Sequence, residues 1–479
     1  MTARAIPGPS TAGGGVVVVG GGLAGAAAAL RLADAGVRVT LVEARPRLGG
    51  LVFSFERRSP AGELTVDNGQ HVYLRCCSAY RWLLQRIGAS GLAPIQPRLD
   101  VPVLDAARGR MSHLRRTALP VPLHLAPGLA RYRHLTFAER IAAGRAALAL
   151  RRLDPADPTL DEVDFGSWLR RAGQSPRAVE ALWDLVGVAT LNAPAPRASL
   201  ALAAMVFRTG LLSTPDAADI GWARVPLGEI HHTRTRAALD RAGVRTLLPA
   251  RVREIVPGER GGWVVAVERG RTLTEHVAAG AVVLAVPPRP AHDLLPPGAL
   301  SAPERLLRLD TEPILNLHVI YDRPVLRGPF LAALGSPVQW VFDRTEPSGT
   351  RGPGQYLAVS QSVAAGEIDE PVATLRRRYL PELERLFPAA RGARVRDFFV
   401  TRERTATFAP IPGVARLRPG ARTGVPGVYL AGAWTDTGWP ATMESAVRSG
   451  ATAAREALIA LGRPYDKDPM PGTEGRTVA

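Results

Sequence analysis

Three clusters of residues carry most of the chemical possibility in this chain. The first is Gly20-Gly21-Gly22-Leu23-Ala24-Gly25, a Gly-x-Gly-x-x-Gly pattern suited to holding a pyrophosphate. Gly20 permits a tight turn, Gly22 lets the backbone approach the phosphates, and Gly25 lets a following helix pack closely. The second is Asp67-Asn68-Gly69-Gln70-His71, polar or permissive residues between apolar runs. It fits either a hairpin turn or a set of hydrogen-bonding groups for a bound ring system. The third is Trp434-Thr435-Asp436-Thr437-Gly438-Trp439-Pro440, leading into Ala441 and Thr442 and preceded by Gly432 and Ala433. Aromatic and polar groups crowd there more than a plain strand-to-helix connection requires.

The elements that must position these clusters are readable around them. Four consecutive valines, 16–19, have the character of a buried parallel strand and lead directly into the first glycine turn. A helix is expected over residues 23–35, its positive N-terminal end aimed at the phosphates. After Gly36 a second strand, 38–42, ends at Glu43, where a carboxylate can accept hydrogen bonds from a ribose. Strand, glycines, helix, strand and acid together predict a dinucleotide-binding unit. Arg47-Leu48-Gly49-Gly50-Leu51 follows closely and fits either an ordinary turn or a second passage of backbone past the ligand. Near the other end, strand 428–431 runs into Gly432, and a small-residue helix over 442–458 follows the third cluster. His231 and His232 have no third ligand at metal spacing and are expected on a helix surface, so no metal is expected.

Length and composition bound the rest. The 479 residues allow a cofactor domain plus a substrate domain. The net charge of +17 comes from 60 basic residues of which Lys467 is the one lysine. These arginines are scattered with few neighbouring aromatics, which argues against nucleic acid as a partner. Cys76 and Cys77 are adjacent and form no disulfide framework, so a reducing cytoplasm fits. The apolar run over 16–30 is short for a membrane span and is broken by glycines, so a soluble or peripheral protein is expected. Residues 1–14 and 462–479 read as loose tails.

The expected fold class is α/β: a Rossmann-like dinucleotide domain in three pieces (15–73, 222–287 and 427–461) with an inserted mixed α+β substrate domain (74–221 and 288–426). The first interval is mostly helical in pattern. The second mixes strand-like runs at 314–321 and 356–361 with a helix over 371–387.

The fingerprint, its Gly49-Gly50 follow-up and the Leu430-Ala431-Gly432 strand end resemble the flavin-dependent amine oxidase and phytoene desaturase superfamily. Within it, Asp67 to His71 and the run Thr435-Asp436-Thr437-Gly438-Trp439-Pro440-Ala441-Thr442-Met443-Glu444-Ser445-Ala446 are similar to hydroxysqualene dehydroxylases of bacterial hopanoid biosynthesis. The resemblance implies FAD as cofactor. Gly20, Gly22, Leu23, Ala24, Gly25, Glu43, Ala44 and Arg45 would hold the ADP half, with Val252 meeting the adenine through its backbone. Gly49, Gly50 and Leu51 would sit by the pyrophosphate. Asn68, Gly69, Gln70 and His71 would approach the isoalloxazine, together with Gly432, Ala433, Trp439, Pro440, Ala441 and Thr442. Two departures stand out: Leu51 replaces a common arginine and Ala433 a common acid, for which Asp436 is the expected substitute.

The activity implied is replacement of the hydroxyl of hydroxysqualene by hydrogen, giving squalene. A carotenoid or phytoene-type desaturase, or another amine-oxidase-like enzyme, is the alternative. His71, Asp67 and Asp436 are the candidate proton donors. The electron donor is left open. A lipid-soluble isoprenoid substrate suggests peripheral contact with an anionic membrane at the inner face of the cell membrane. The interval 101–152 is the expected contact, with ten arginines against Asp105 and Glu139. Leu114, Leu119, Val121, Leu123, Leu125, Leu129 and Tyr132 would insert from an irregular hairpin or short helices.

Overall fold

The computed structural model describes residues 15–270 and 273–465. The tails expected at 1–14 and at 466–479 lie outside those residues, while 462–465 leave the last helix without forming a helix or strand. Five short strands make one parallel sheet: β1 (Val16–Val19), β2 (Val39–Val42), β3 (Arg245–Leu247), β4 (Ala281–Leu284) and β5 (Val428–Leu430). Their spatial order is β5-β4-β1-β2-β3. β1 and β4 are buried throughout, as aliphatic strands covered on both faces must be.

Alternation along β1 assigns its two faces. Val16 and Val18 pack with helices α1 (Leu23–Asp34) and α2 (Met443–Ala460), whereas Val17 and Val19 join the core on the opposite side. Small residues let the two helices touch: a Cβ on Gly450 would stand 2.0 Å from the Ala24 carbonyl oxygen. The opposite face is covered by a separate three-stranded antiparallel sheet, Arg251–Pro257, Trp263–Arg269 and Leu273–Ala279, whose Ile255, Val265 and Val267 share that core. Residues 222–287 therefore contribute only β3 and β4 to the parallel sheet. Of the remainder, residues 251–269 and 273–279 form that covering sheet, 229–241 are helical, and Trp222 pairs with Val72 in a separate two-stranded sheet.

A seven-stranded sheet forms the second layer, in the order Val395–Phe408, Thr311–Tyr321, Gln355–Gln361, Trp340–Asp343, Phe330–Leu334, Asp100–Asp105, Arg110–Arg115. Its last two strands come from the first interval and the rest from the second, joined by the parallel pairing of Ala332 to Leu334 with Val103 to Asp105. On one face Leu315, Leu317 and Val319 pack against Leu375, Tyr379 and Leu383 of the helix Val372–Leu386. Each such buried side chain contributes about 1.5–3 kcal/mol. The alternate residues Ile314, Asn316 and His318 turn to the other face, toward the parallel-sheet layer. Asp67 ends the second strand of the hairpin Ser54–Ser59/Gly62–Asp67, whose turn lies at residues 60–61. Asp67 to His71 is thus the exit from a hairpin and not its turn.

Candidate functional site

At the end of β1 the chain turns at Gly20 with φ +107°, a conformation that L side chains rarely adopt, and a Cβ there would meet the Ala285 carbonyl oxygen at 2.3 Å. Helix α1 is pressed against this turn, for a Cβ on Gly25 would lie 1.8 Å from the Gly20 oxygen. Gly49 and Gly50, at φ +100° and +61°, bring a second piece of backbone alongside the first. The Gly49 amide donates to the Gly21 carbonyl at 2.9 Å, and a Cβ on Gly50 would approach the Gly22 Cα to 3.0 Å. The double glycine is therefore a close passage of two loops. Glu43, 9% exposed, accepts from the amides of Gly21 (2.6 Å) and Arg45 (2.7 Å). A carboxylate offers about four lone-pair sites, so acceptor capacity remains toward the cavity it lines.

That cavity has a volume of about 1670 Å³. Its wall includes Gly20, Gly22, Leu23, Ala24, Glu43, Ala44, Arg45, Gly49, Gly50, Leu51, Asn68, Gly69, Gln70, His71, Val252, Gly432, Ala433, Trp439, Pro440, Ala441 and Thr442. Gly25 is absent from the wall, since its place is the contact between helix and turn. The cradle fits a dinucleotide: paired glycine loops, a helix N-terminus and an acid at the end of β2 face one space. No arginine stands at position 51, but Arg47 Nη1 lies 3.0 Å from the Gly50 carbonyl, so a cation is held beside it.

Asn68 is the hinge of the second wall. Its Oδ1 accepts from Phe53 N at 3.1 Å, and its Nδ2 donates to the Leu51 carbonyl (2.9 Å) and to Glu403 Oε1 (3.1 Å). Its own carbonyl accepts from Thr401 Oγ1 (2.8 Å) and Asn316 Nδ2 (3.2 Å). Gly69 to His71 therefore emerge from a locked anchor. The third wall, 432–442, is held by Arg418, whose Nη2 donates to the carbonyls of Thr435 (2.6 Å) and Trp439 (2.8 Å), and burial lowers that guanidinium to about 10. At its end Thr442 caps α2, its Oγ1 accepting from Ser445 N at 3.2 Å.

Of the three candidate acids only His71 lines the cavity. Burial, helped by the nearby Arg344 cation, pushes its imidazole down to about 4, so it is neutral at pH 7. Asp67 turns away from the wall: its carboxylate accepts from Ser54 Oγ (2.6 Å), Leu227 N (2.9 Å) and Arg344 Nη2 (2.6 Å). Burial pushes this carboxyl up, and Arg344 with the two other donors opposes the shift. Asp436 is exposed and accepts from Gly438 N within its own loop at 3.2 Å, so it does not stand in for the acid missing at Ala433. His231 is buried and not on a surface: its Nε2 lies 3.1 Å from the Tyr80 hydroxyl, and burial pushes it down to about 3. His232 Nδ1 accepts from Leu48 N at 3.1 Å, steadying the loop that carries Gly49. Arg344, Arg418, Asn316 and Glu403 gave no local signal, because no motif around them separates them from other polar residues of an arginine-rich chain.

Beyond the cradle the cavity continues between apolar side chains, among them Leu99, Leu114, Leu125, Leu129, Leu185 and Phe207. A single ligand site usually measures about 300–1,000 Å³, so this volume exceeds one such site. The parallel sheet and the glycine cradle define a dinucleotide-binding fold, and the apolar arm opens from the same cavity.

The family described as "Flavin containing amine oxidoreductase" matches residues 23–458. The chain is 31% identical to the hydroxysqualene dehydroxylase of Rhodopseudomonas palustris, over 92% of this chain and 97% of that protein. It is 30% identical to that of Sinorhizobium fredii, over 91% and 96%. A zeta-carotene desaturase of Synechocystis is more distant, at 24% over 92% and 96%. An oxidoreductase from Methanosarcina mazei shares the fold, with a TM-score of 0.70 at 15% identity over 93% of this chain and 99% of that one. The chain belongs to the flavin-containing amine oxidoreductase family, in its hydroxysqualene dehydroxylase branch, and its cofactor is FAD.

Proposed function

We propose that the protein removes the hydroxyl of a hydroxysqualene-type isoprenoid alcohol reductively, giving squalene. The observation that carries this reading is the continuity of the dinucleotide cradle with an apolar arm in one cavity. An amine or other polar substrate would find little in that arm to hydrogen-bond, whereas a long hydrocarbon would be desolvated along its length. Bound FAD, in its reduced form, supplies the hydride equivalent that such a replacement requires. The chain's own contribution is to bind, orient and keep dry. Gly69 to His71 and residues 432–442 form the rigid walls where the arm meets the cradle, and neutral His71 can hydrogen-bond there without adding charge.

The alcohol reaches the arm, in this reading, from an anionic bilayer. Leu123, Ile141 and Leu148 line the cavity and are also 55%, 49% and 45% exposed, and Leu119 and Phe137 nearby are 44% and 75% exposed. The apolar arm thus reaches the surface at the segment Leu123–Leu125 and the helix Phe137–Arg151. The interval 101–152 folds differently from the irregular strip expected. Residues 100–105 and 110–115 are sheet strands, Tyr132 is core, and Leu114, Leu125 and Leu129 face the cavity. Arg108, Arg115 and Arg116 are paired with Asp105, Asp100 and Asp219, so fewer of the ten arginines are left to meet headgroups. No described helix is long and apolar enough to cross a membrane.

Anaerobic incubation of the reduced holoenzyme with hydroxysqualene, followed by mass spectrometry, tests the reaction. Squalene is the expected product. Its absence, with desaturated products from the oxidised enzyme and phytoene, would replace this reading by the desaturase one.

A further inference from the structure

Among the described residues the cavity wall holds four carboxyl side chains: Glu43, Asp293, Glu403 and Glu444. Glu43 and Glu444 each hold backbone amides with both oxygens, and Asp293 is exposed. Glu43 accepts from its own cradle's amides. Asp293 lies on an exposed helix face with His292 Nδ1 at 3.0 Å. Glu444 accepts from the amides of Ala79 (3.1 Å) and Tyr80 (2.7 Å) and from Arg448 Nε (2.6 Å), so both its oxygens serve to start another helix.

Glu403 is different. Its one hydrogen bond among the described residues comes from Asn68 Nδ2, at 3.1 Å from Oε1; the side chain lines the cavity, with the Arg47 cation near enough to interact with it. Glu403 lies opposite Ile314, and Thr401 opposite Asn316, in the long antiparallel ladder of Val395–Phe408 with Thr311–Tyr321. Alternation puts Thr401 and Glu403 on the same face, and both contact Asn68. Arg402 between them points the other way, to the carbonyls of Ile368 (2.7 Å) and Glu370 (2.6 Å). The Asn68 bond orients one oxygen of Glu403, in a side chain that lines the same cavity as Gly69 to His71.

We infer that Glu403 is the proton donor to the substrate's hydroxyl, an assignment that rests on the dehydroxylase reading above. Water is a far better leaving group than hydroxide, and an apolar arm has no bulk solvent to supply the proton. Oε2–H of the protonated carboxyl donates to the hydroxyl oxygen. The C–O bond breaks, and the oxygen departs as water with its own hydrogen and the Glu403 proton. The carbon gains a hydride equivalent, two electrons and a proton, drawn from the reduced flavin, which is thereby oxidised. Glu403 is left as carboxylate and is reprotonated after the product leaves and water enters the cavity.

The test uses purified holoenzyme as wild type, Glu403→Gln and Glu403→Leu. Gln keeps an oxygen for Asn68 but has no acidic proton, and Leu keeps neither. Two quantities are read: binding of hydroxysqualene and of squalene to the oxidised enzyme, from perturbation of the flavin spectrum, and the anaerobic rate at which hydroxysqualene reoxidises the reduced flavin, across pH. Glu403→Gln is expected to keep its FAD content and both affinities within about threefold while reoxidation falls roughly 100-fold or more, the usual worth of a general acid. Glu403→Leu should in addition lose any preference for the alcohol over squalene. Reoxidation by Glu403→Gln at more than about a tenth of the wild-type rate, or a loss that follows FAD content alone, overturns the assignment and makes Glu403 a support for Asn68. If wild type itself is not reoxidised by hydroxysqualene, the dehydroxylase reading falls and the assignment falls with it.

Discussion

Arg344→Met should loosen the flavin-side wall of the cavity. Arg344 and Asp67 form an ion pair at 2.6 Å with side chains only 8% and 5% exposed. Arg344 also donates to the carbonyls of Ala223 (2.8 Å) and Val225 (3.3 Å), tying the end of the seven-stranded sheet to the hairpin from which Asn68 emerges. Methionine keeps most of the stem but strands a buried carboxylate, and removing one partner of a buried pair costs about 3–5 kcal/mol. Asp67→Asn alone strands the guanidinium instead and should cost a similar amount. The double variant leaves no buried charge, so the loss should fall short of the sum of the singles by about 2 kcal/mol or more. Urea unfolding followed by tryptophan fluorescence, in parallel with release of FAD fluorescence, reads both effects. A chain of 479 residues is compared by midpoints and not by a single unfolding energy. In Arg344→Met the release of FAD should precede the main transition, because Asp67 adjoins the Asn68–His71 wall. Unchanged midpoints, or fully additive losses in the double variant, would refute the coupling.

Gly22→Val should purify without FAD, because its side chain would fill the gap between the Gly22 and Gly50 loops, and full flavin occupancy would count against that cradle. Glu43→Gln should weaken FAD binding by about 1.5–3 kcal/mol, roughly ten- to hundredfold in dissociation constant, and an unchanged constant would remove Glu43 from the ribose site. His71 is pushed down to about 4, and His231 and His318 to about 3, from an unfolded value of about 6.5. Between those values the unfolded chain binds more protons, so stability present above pH 6.5 is lost as pH falls toward 3; a urea midpoint flat from pH 7 to 4 would contradict their burial as neutral rings. A Leu123→Ser, Phe137→Ser, Ile141→Ser triple variant should lose sedimentation with anionic liposomes, while wild-type binding weakens but persists in high salt; equal pelleting of both proteins would exclude this entrance.

The parts of the molecule legible beforehand were those in which chemistry and local structure coincide. Val16 to Val19, the glycines after them and the strand ending at Glu43 each specify their own conformation within a few residues, and these elements stand where the pattern put them. The C-terminal strand and small-residue helix were readable for the same reason. Where position depends on distant partners, local reasoning failed. The turn-like composition of Asp67 to Gly69 concealed a strand end, because Arg344, 277 residues away, makes Asp67 a buried anchor. His231 and His232 look like surface residues on composition, and only the packing of Tyr80 and Leu48 from elsewhere in the chain buries or engages them.

Glu403 shows why the reacting end of such a site is hard to read from sequence. Nothing in Arg402-Glu403-Arg404 separates it from a solvated charge cluster. Two features give it meaning. The period-2 geometry of the strand sends Arg402 and Glu403 to opposite faces, and the two inserted intervals build one sheet that lays this strand over the exit of an N-terminal hairpin. The bond from Asn68 to Glu403 spans 335 residues and joins the exit of the N-terminal hairpin to the seven-stranded sheet, with both residues on the cavity wall. A cofactor cradle can be specified by a short stretch of chain, because its ligand is bound mainly by backbone. A proton donor for a buried alcohol has to be held by one layer and aimed from the other, so it exists only once both layers have folded together.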